Sequence, residues 1–210
     1  MITYRVAQSA TDFKNAATLV HTAYMQEGYI SEQKPSGISS FLNRPGAATI
    51  VAIEDNTVRG TISIVKDSDR GLPMDCTYKE QVDGLRTDGR HLAEICQFAT
   101  DQNQQSDLPA RNTSLVTLGL FAHIVQIGLA DSTISDLCFT VNKKHEGFYR
   151  AIGCTTIGPQ TNYARANGAV SQGFFLHLAS LQKQKETNPF IGKILTYPVN
   201  KEITDPTLLN

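Results

Sequence analysis

Hydrophobic and polar positions follow two different rhythms along the chain. In several short stretches apolar residues alternate with polar ones or form a short unbroken run, which predicts β-strands. In others they recur every three or four positions, which predicts amphipathic helices. The predicted strands are residues 3–8, 47–54, 58–66, 91–101, 135–141 and 174–178. The predicted helices are residues 9–24, 77–86, 114–130 and 145–152.

Local signals mark the ends of several of these elements. Ser9 and Asp12 are spaced as a capping box at the start of the first helix. Residues 55–57 separate two β-rich runs and are predicted to form a hairpin turn. Gly153 follows the fourth helix, where glycine commonly ends one. From residue 182 onward the sequence predicts a polar helix end and a loose tail.

The order of the elements predicts the fold class. Strands precede the long helix in pairs, and β-α-β units follow it, so we expect an α/β protein with a mixed sheet and helices on both faces. A chain of 210 residues suits one sizeable domain. We assign residues 1–185 to this domain and residues 186–210 to a C-terminal extension or tail.

Composition excludes several classes of protein. Apolar residues make up 40% of the chain and charged residues 19%, which is typical of globular domains. The net charge of −1 predicts no nucleic-acid partner. The start of the chain has no signal-peptide pattern, and no apolar run approaches the length of a membrane span, so a cytoplasmic protein is expected.

The cysteines give no sign of a metal site. They are Cys76, Cys96, Cys138 and Cys154, which lack C-x-x-C spacing and lie mostly within apolar runs. Free buried thiols are therefore expected rather than a zinc site. Neither a metal nor a redox cofactor is predicted.

One carboxylate stands inside a predicted buried strand. Glu94 lies beside Ile95 and close to Phe98. Burial raises the pKa of a carboxyl group, and a carboxylate with a raised pKa is a suitable general base near neutral pH. The alternatives are a solvent-facing edge or bulge position, or a structural ion pair with Arg86 or Arg90.

A second candidate region follows the strand at residues 135–141. This strand lacks polar alternation, as expected when both of its faces are covered. It ends in a basic turn formed by Asn142, Lys143, Lys144 and His145. Such a turn could supply hydrogen-bond donors and positive charge to an anionic partner. The alternative is a solvated pair of lysines at an ordinary turn.

Four strings in register carry a resemblance to a known family. They are AYMQEGYI (23–30), GLPMD (71–75), DGLRTDGRHLAEICQFATD (83–101) and DLCFTVNKKHEGFYRAIG (136–153). Together they resemble the bacterial N-acyl amino acid synthases of the GNAT superfamily, which are related to the acyl-homoserine lactone synthases. The resemblance implies a GNAT acyltransferase fold. It also implies transfer of a long-chain acyl group from an acyl carrier protein to the amine of an amino acid.

The resemblance also implies roles for individual residues. Glu94 would help to deprotonate the amine, and Tyr149 would protonate the departing thiolate. The alternative for Tyr149 is simple aromatic packing beside Phe148. The residues expected to bind the acyl donor are Phe98, Phe139, Thr140, Val141, Asn142, Lys143, Lys144 and His145. Those expected near the acceptor are Tyr24, Tyr29, Arg86 and Arg90, with Arg44 in a neighbouring segment.

The chain departs from the family pattern at one point. Where the family shows E-x-S-R-L-A, residues 94–99 read EICQFA, so a serine and an arginine are missing. This departure favours an alternative, namely a catalytically inactive GNAT-like protein that binds an acyl chain or an acyl carrier. A homoserine lactone synthase-like enzyme is a third possibility. The missing arginine and the absence of tryptophan count against it.

The expected acyl donor follows from a missing motif. Enzymes that use coenzyme A commonly hold its pyrophosphate in a glycine-rich loop at a helix N-terminus. The corresponding segment, residues 101–114, reads DQNQQSDLPARNTS and contains no glycine. The predicted donor is therefore the acyl-phosphopantetheine of an acyl carrier protein rather than acyl-coenzyme A. The expected partners are that carrier and a small amine or amino acid.

Overall fold

The chain folds around one seven-stranded sheet. The computed structural model describes residues 1–31, 39–101, 110–203, 205 and 207–209. The strands are β1 (Thr3–Val6), β2 (Ala47–Glu54), β3 (Thr57–Lys66), β4 (Leu92–Thr100), β5 (Asp136–Asn142), β6 (Thr155–Tyr163) and β7 (Ala169–His177). The helices are α1 (Ala10–Gln26), α2 (Ser39–Leu42), α3 (Asp75–Thr87), α4 (Ala110–Ala130), α5 (Glu146–Ala151), α6 (Leu178–Gln184) and α7 (Pro189–Thr196).

The strand order places one parallel pair at the centre of the sheet. The order is β1-β2-β3-β4-β5-β7-β6, and every neighbouring pair is antiparallel except β4 and β5. The pairing of β4 with β5 ends at Glu94 and Cys138. Since β4 continues to Thr100 and β5 to Asn142, the two strands continue without pairing and leave a cleft between them.

Helices cover both faces of the sheet, as the sequence predicts. Alternation along the strands sends Ile62 and Ile64 of β3 toward α4, where they pack with Leu120. On the opposite face, Val65 packs with residues of α3 such as Val82. Helix α1 covers the same face as α3, while α6 and α7 lie on the face of α4. The prediction of a mixed α/β sheet with helices on both faces is confirmed.

The close approach of α4 to the sheet depends on a glycine in β3. A Cβ atom at Gly60 would lie 2.5 Å from Cγ1 of Val116 and 2.9 Å from Cδ1 of Leu120. Such contacts are shorter than van der Waals packing permits, so a larger residue would push the helix away. Gly60 therefore sets the depth at which α4 sits on the sheet.

Two of the predicted local signals are confirmed in detail. The Ser9 hydroxyl accepts a hydrogen bond from the Asp12 N–H, and the Asp12 carboxylate accepts one from the Ser9 N–H. The β2–β3 hairpin turns at Asp55 and Asn56, whose φ values of 50° and 61° are typical of a type I′ turn. Asp and Asn tolerate this left-handed conformation better than most residues do.

The C-terminal part of the chain differs from the prediction in two places. Strand β6 was not predicted, because Gly158 and Pro159 interrupt its pattern at a bulge. An edge strand tolerates such an interruption. The prediction of a loose tail is also wrong. Helix α7 begins at the Asn188 cap and buries Ile191 and Ile194 against the core that α4 shares.

The cysteines are only partly as expected. All four are free, but Cys76 is exposed and Cys96 half-buried, while Cys138 and Cys154 are buried. Within the described ranges, no cluster of three His, Cys, Asp or Glu side chains is placed to hold a metal ion. No helix in the described part of the chain combines the length and the apolar character needed to cross a membrane.

Candidate active site

The cleft between β4 and β5 has two lobes that share a wall. Residues of α1, β4, β5 and the segment after α1 line both lobes. They are Tyr24, Tyr29, Ile95, Cys96, Gln97, Thr140, Val141 and Asn142. What we call the Glu94 lobe spans about 530 Å³ including its opening and is completed by Glu94, Tyr163, Arg165, Ala166 and Ser171. What we call the aromatic lobe spans about 640 Å³ and is completed by Phe98, Phe121, Phe139, His145 and Tyr149.

Glu94 is buried and held by the start of α3. Its side chain is 1% exposed, and its Oε2 accepts a hydrogen bond of 2.7 Å from the Met74 N–H. The pKa of Glu94 is raised to about 8, chiefly by burial and to a smaller extent by the nearby charge of Asp75. The Met74 N–H and the positive charges of Arg165 and Arg44 act in the opposite direction. Glu94 can therefore exchange a proton near neutral pH.

Both alternatives for Glu94 are excluded by its surroundings. The residue does not face solvent, and it lies before the bulge of β4 rather than in it. Arg86 instead binds Asp67, Asp75 and Asp83, and Arg90 binds another carboxylate elsewhere. Within the described residues Glu94 accepts its hydrogen bond from the Met74 N–H, and burying a carboxylate costs free energy that such a donor offsets only in part.

A bulge in β4 shapes the wall shared by the two lobes. The register with β3 shifts between the pairs Ser63–Cys96 and Thr61–Ala99, and Gln97 has a left-handed φ of 49°. The pairing of β4 and β5 has already ended at this point. Unpaired strand edges present backbone N–H and C=O groups to whatever lies beside them. An extended ligand with amide groups can therefore bind along this wall.

The turn after β5 forms part of the rim of the cleft. The side chain of Asn142 fixes the turn by accepting a hydrogen bond of 3.0 Å from the Lys144 N–H. Lys144 pairs with Glu27 at the end of α1, while Lys143 is exposed. His145 lines the aromatic lobe, where burial lowers the pKa of its imidazole. The basic turn thus contributes one lysine already paired across the rim and one that faces solvent.

Thr140 offers a hydrogen-bonding group inside the cleft. Its side chain lines both lobes, and within the described residues its buried Oγ1 has no hydrogen-bond partner. A buried hydroxyl without a partner costs free energy. A ligand bound in the cleft could supply the missing partner.

Tyr149 packs in an aromatic cluster and also lines the cleft. Its ring lies 4.9 Å from that of Phe139, 5.2 Å from that of Phe148 and 5.8 Å from that of Phe174. Burial raises the pKa of the Tyr149 hydroxyl, which therefore stays protonated at neutral pH. Tyr149 is therefore both part of the aromatic packing and part of the cleft wall, with its ring held in place by its neighbours.

The predicted acceptor residues divide into two groups. Tyr24 and Tyr29 line both lobes, with their rings edge to face at 5.8 Å. The structure does not bring Arg86 and Arg90 to the cleft. Arg86 forms the three ion pairs described above, and Arg90 pairs with Asp136 at 2.7 Å. Both arginines lie near the start of β4, where they border a separate surface depression.

The arginine that does line the Glu94 lobe, Arg165, was not among the predicted site residues. Arg165 follows β6, and its Nε donates a hydrogen bond of 3.0 Å to the Pro73 carbonyl. Its guanidinium lies 4.9 Å from the centre of the Phe41 ring, and Arg44 lies 4.9 Å from the same ring. Because β6 itself was not predicted, no pattern placed Arg165 near Glu94.

Comparisons with known proteins agree with this geometry. The chain matches the family model of the N-acyl amino acid synthase FeeM over residues 15–173. The solved structure of FeeM, an N-acyl amino acid synthase from uncultured soil microbes, superposes with a TM-score of 0.77 at 30% sequence identity. That match covers 88% of this chain and 94% of FeeM.

Two more distant structures show the same fold. The acyl-homoserine lactone synthase LasI matches with a TM-score of 0.60 at 16% identity, over 85% of this chain and 90% of LasI. An agmatine N-acetyltransferase matches with a TM-score of 0.62 at 12% identity, over 84% of this chain and 100% of that protein. No curated protein sequence matches the chain.

Proposed function

The chain belongs to the N-acyl amino acid synthase FeeM family and is a GNAT-fold acyltransferase, and from this premise we propose its donor, its acceptor and its catalytic residues. The proposed reaction moves a long-chain acyl group from an acyl carrier protein thioester to the amine of an amino acid. The observation that carries it is the buried Glu94 beside a cleft whose far lobe is aromatic.

The proposed chemistry uses one base and one acid. Glu94 accepts a proton from the ammonium group of the acceptor, so that the neutral amine can attack the thioester carbonyl carbon. A C–N bond forms, and the C–S bond of the tetrahedral intermediate breaks. Tyr149 donates its proton to the departing thiolate. The nitrogen of the intermediate loses its second proton to become the neutral amide, and this proton returns through solvent to the Tyr149 phenolate. The raised pKa of Glu94 supports the first step, and the fixed, protonated ring of Tyr149 supports the last.

The acyl donor is proposed to bind between β4 and β5. The unpaired strand edges suit the amide groups of a pantetheine arm, and the aromatic lobe suits an alkyl chain. The glycine-free segment before α4 supports a donor without a pyrophosphate, although residues 102–109 of it lie outside the described residues. Acyl-phosphopantetheine on a carrier protein has the amide groups and the alkyl chain and lacks the pyrophosphate.

Arg165 is the residue that we propose to hold the acceptor. It lines the same lobe as Glu94 and is anchored through Nε to the Pro73 carbonyl. A guanidinium suits the carboxylate of an amino acid, while Glu94 would face the ammonium group. Tyr24 and Tyr29 would enclose the acceptor from the side of α1.

The experiment that tests the proposal compares donors and acceptors in one assay. Acyl carrier thioesters and the matching acyl-coenzyme A would be incubated with a panel of amino acids and their amides, and products identified by mass spectrometry. We expect N-acyl amino acids, a much higher kcat/KM with the carrier donor and a loss of activity with the amides. Equal kcat/KM for both donors would contradict the carrier assignment. No product from any pair would favour the inactive binding protein.

A charge reversal on the basic turn tests how the carrier docks. Replacing Lys143 and Lys144 with Glu is expected to lower kcat/KM with an acidic carrier, and the loss should shrink as salt rises because salt screens exposed charges. With a small acyl-pantetheine thioester the rate should stay unchanged. Replacing the exposed Lys183 and Lys185 with Glu changes the net charge equally and serves as the control. An equal loss of kcat/KM in both double variants would mean that Lys143 and Lys144 are solvated residues of an ordinary turn with no role in carrier docking.

A further inference from the structure

The aromatic lobe is lined on one side by a pair of rings from two different elements. Phe98 of β4 and Phe121 of α4 lie with ring centres 5.1 Å apart and planes tilted by 49°. The other wall consists of Phe139 and Tyr149, which pack into the core with Phe174. Among the described residues of α4, Phe121 alone lines the cleft.

The bulge in β4 is what brings Phe98 to this position. In a regular strand Phe98 would share a face with Glu94 and Cys96, because side chains alternate. The extra residue at Gln97 reverses the alternation, so Phe98 joins Ile95 on the face covered by α4. The bulge therefore turns the ring of Phe98 away from the side of Glu94 and into the aromatic lobe.

Both rings leave apolar surface uncovered in the lobe. Phe98 and Phe121 are only partly buried, although Leu120 and Ala122 on either side of Phe121 are fully buried. Uncovered apolar surface inside a cleft favours an apolar ligand that replaces water there, and the gain grows with each buried methylene. An alkyl chain that reaches these rings gains this contribution until it meets the body of α4.

We infer that Phe121, supported by Phe98, is the floor of the acyl-chain site and sets the longest chain that this protein accepts. The inference rests on the proposed function, since it assigns the acyl chain to the aromatic lobe. An acyl chain that ends at the Phe121 ring covers the exposed apolar surface of that ring. A chain with further carbons would have to displace either this ring or the helix behind it, whose depth Gly60 fixes.

The test uses two substitutions with opposite expected effects. Phe121→Ala opens the floor and should move the chain-length optimum to longer acyl groups, whereas Phe121→Trp should move it to shorter ones. One methylene in a hydrophobic pocket changes kcat/KM by about 10–200-fold, so the change in preference between neighbouring chain lengths should reach about 10-fold. The measurement is kcat/KM for a series of straight-chain acyl carrier thioesters.

A binding measurement separates this inference from the proposed reaction. Free fatty acids of graded length are the probes, with equilibrium dialysis for wild type and Phe121→Ala. The chain has no native tryptophan, so Phe121→Trp also places a fluorophore at the floor, and its emission should shift to the blue once a chain reaches it. The control is Leu118→Ala, which truncates a partly buried residue of the same helix that does not line the cleft.

The outcomes are distinguishable. A length preference that moves in opposite directions in the two variants, and stays unchanged in Leu118→Ala, supports the floor. If binding shifts but no donor yields an N-acyl product, the floor stands and the proposed reaction fails. If products form and neither variant changes the length preference, the reaction stands and the floor is wrong. Should Phe121→Ala fail to fold, Phe121→Leu and Phe121→Trp provide the same comparison.

Discussion

Glu94→Gln lowers turnover by about 10²–10⁴-fold while the protein stays folded, the usual contribution of a positioned general base. Glutamine keeps the volume of the side chain, and its amide oxygen can still accept the hydrogen bond from the Met74 N–H. Only the proton-accepting function is removed. The exposed Glu80→Gln on α3 is the matched control, and its rate should equal that of the wild type.

The pH dependence of the rate should differ between the wild type and Glu94→Gln. Because the pKa of Glu94 is raised to about 8, the wild-type rate should rise with pH as the carboxylate forms and level off above that value. In Glu94→Gln the rate should instead follow the neutral fraction of the acceptor amine, so high pH rescues part of the loss. A variant with the full wild-type rate and pH profile would exclude Glu94 from catalysis.

The stability of the same variant should change in the opposite direction from its activity. The pKa of this carboxyl group rises from 4.5 to about 8 on folding, so folding at a pH between these two values takes up a proton. Rising pH therefore lowers the stability of the folded wild type within this window. The cost is up to about 1.4 kcal/mol per pH unit. Glu94→Gln lacks this cost and should therefore melt at a higher temperature than the wild type, with the largest difference near pH 8. Thermal melts at pH 5 and pH 8 measure it.

The sequence was most informative where local pattern and tertiary packing agree. Residue spacing alone predicts three of the elements. They are the helix start at the Ser9–Asp12 capping box, the long helix α4 and the buried strand β5. Glu94 could be found in the same way, because a carboxylate inside an apolar strand contradicts its surroundings. The signal in each case is contained within one continuous segment of the sequence.

What the sequence did not reveal depends on contacts between distant segments. Arg165 meets the Glu94 lobe only because the edge strand β6 pairs with β7, and the bulge of β6 hides its pattern. Conversely, Arg86 and Arg90 lie near Glu94 in sequence but bind carboxylates outside the cleft. Proximity along the chain favoured the wrong arginines, because Arg86 lies in α3 and Arg90 lies between α3 and β4, where both pair with carboxylates outside the cleft.

The side chain of Phe98 gives a second example of this limit. Strict alternation along residues 92–100 would place it on the side of Glu94, and only the left-handed Gln97 reverses this order. A glycine or asparagine at this position would have indicated a positive φ, but a glutamine does not. The two lobes therefore could not be separated from the sequence, although most of the residues that line them could be named.

Tyr149→Phe lowers kcat by about 10²-fold, at the lower end of what positioned acid–base groups contribute. The substitution removes only the hydroxyl, so the contacts of the ring with Phe139 and Phe174 remain. We therefore expect the melting temperature to stay close to that of the wild type. A loss of rate without a loss of stability assigns the effect to the hydroxyl rather than to packing.

The leaving group of the donor decides what that hydroxyl does. A thiolate derived from a thiol of low pKa departs without help, whereas an alkyl thiolate such as that of pantetheine benefits from protonation. If Tyr149 supplies the proton, the deficit of Tyr149→Phe should be large with an acyl-pantetheine donor and small with the matching aryl thioester. Burial raises the pKa of the hydroxyl, so the hydroxyl should stay protonated over the whole pH range in which Glu94 titrates. An equal deficit with both donors would make Tyr149 a packing residue that shapes the aromatic lobe, and proton donation would then have to come from another group or from water.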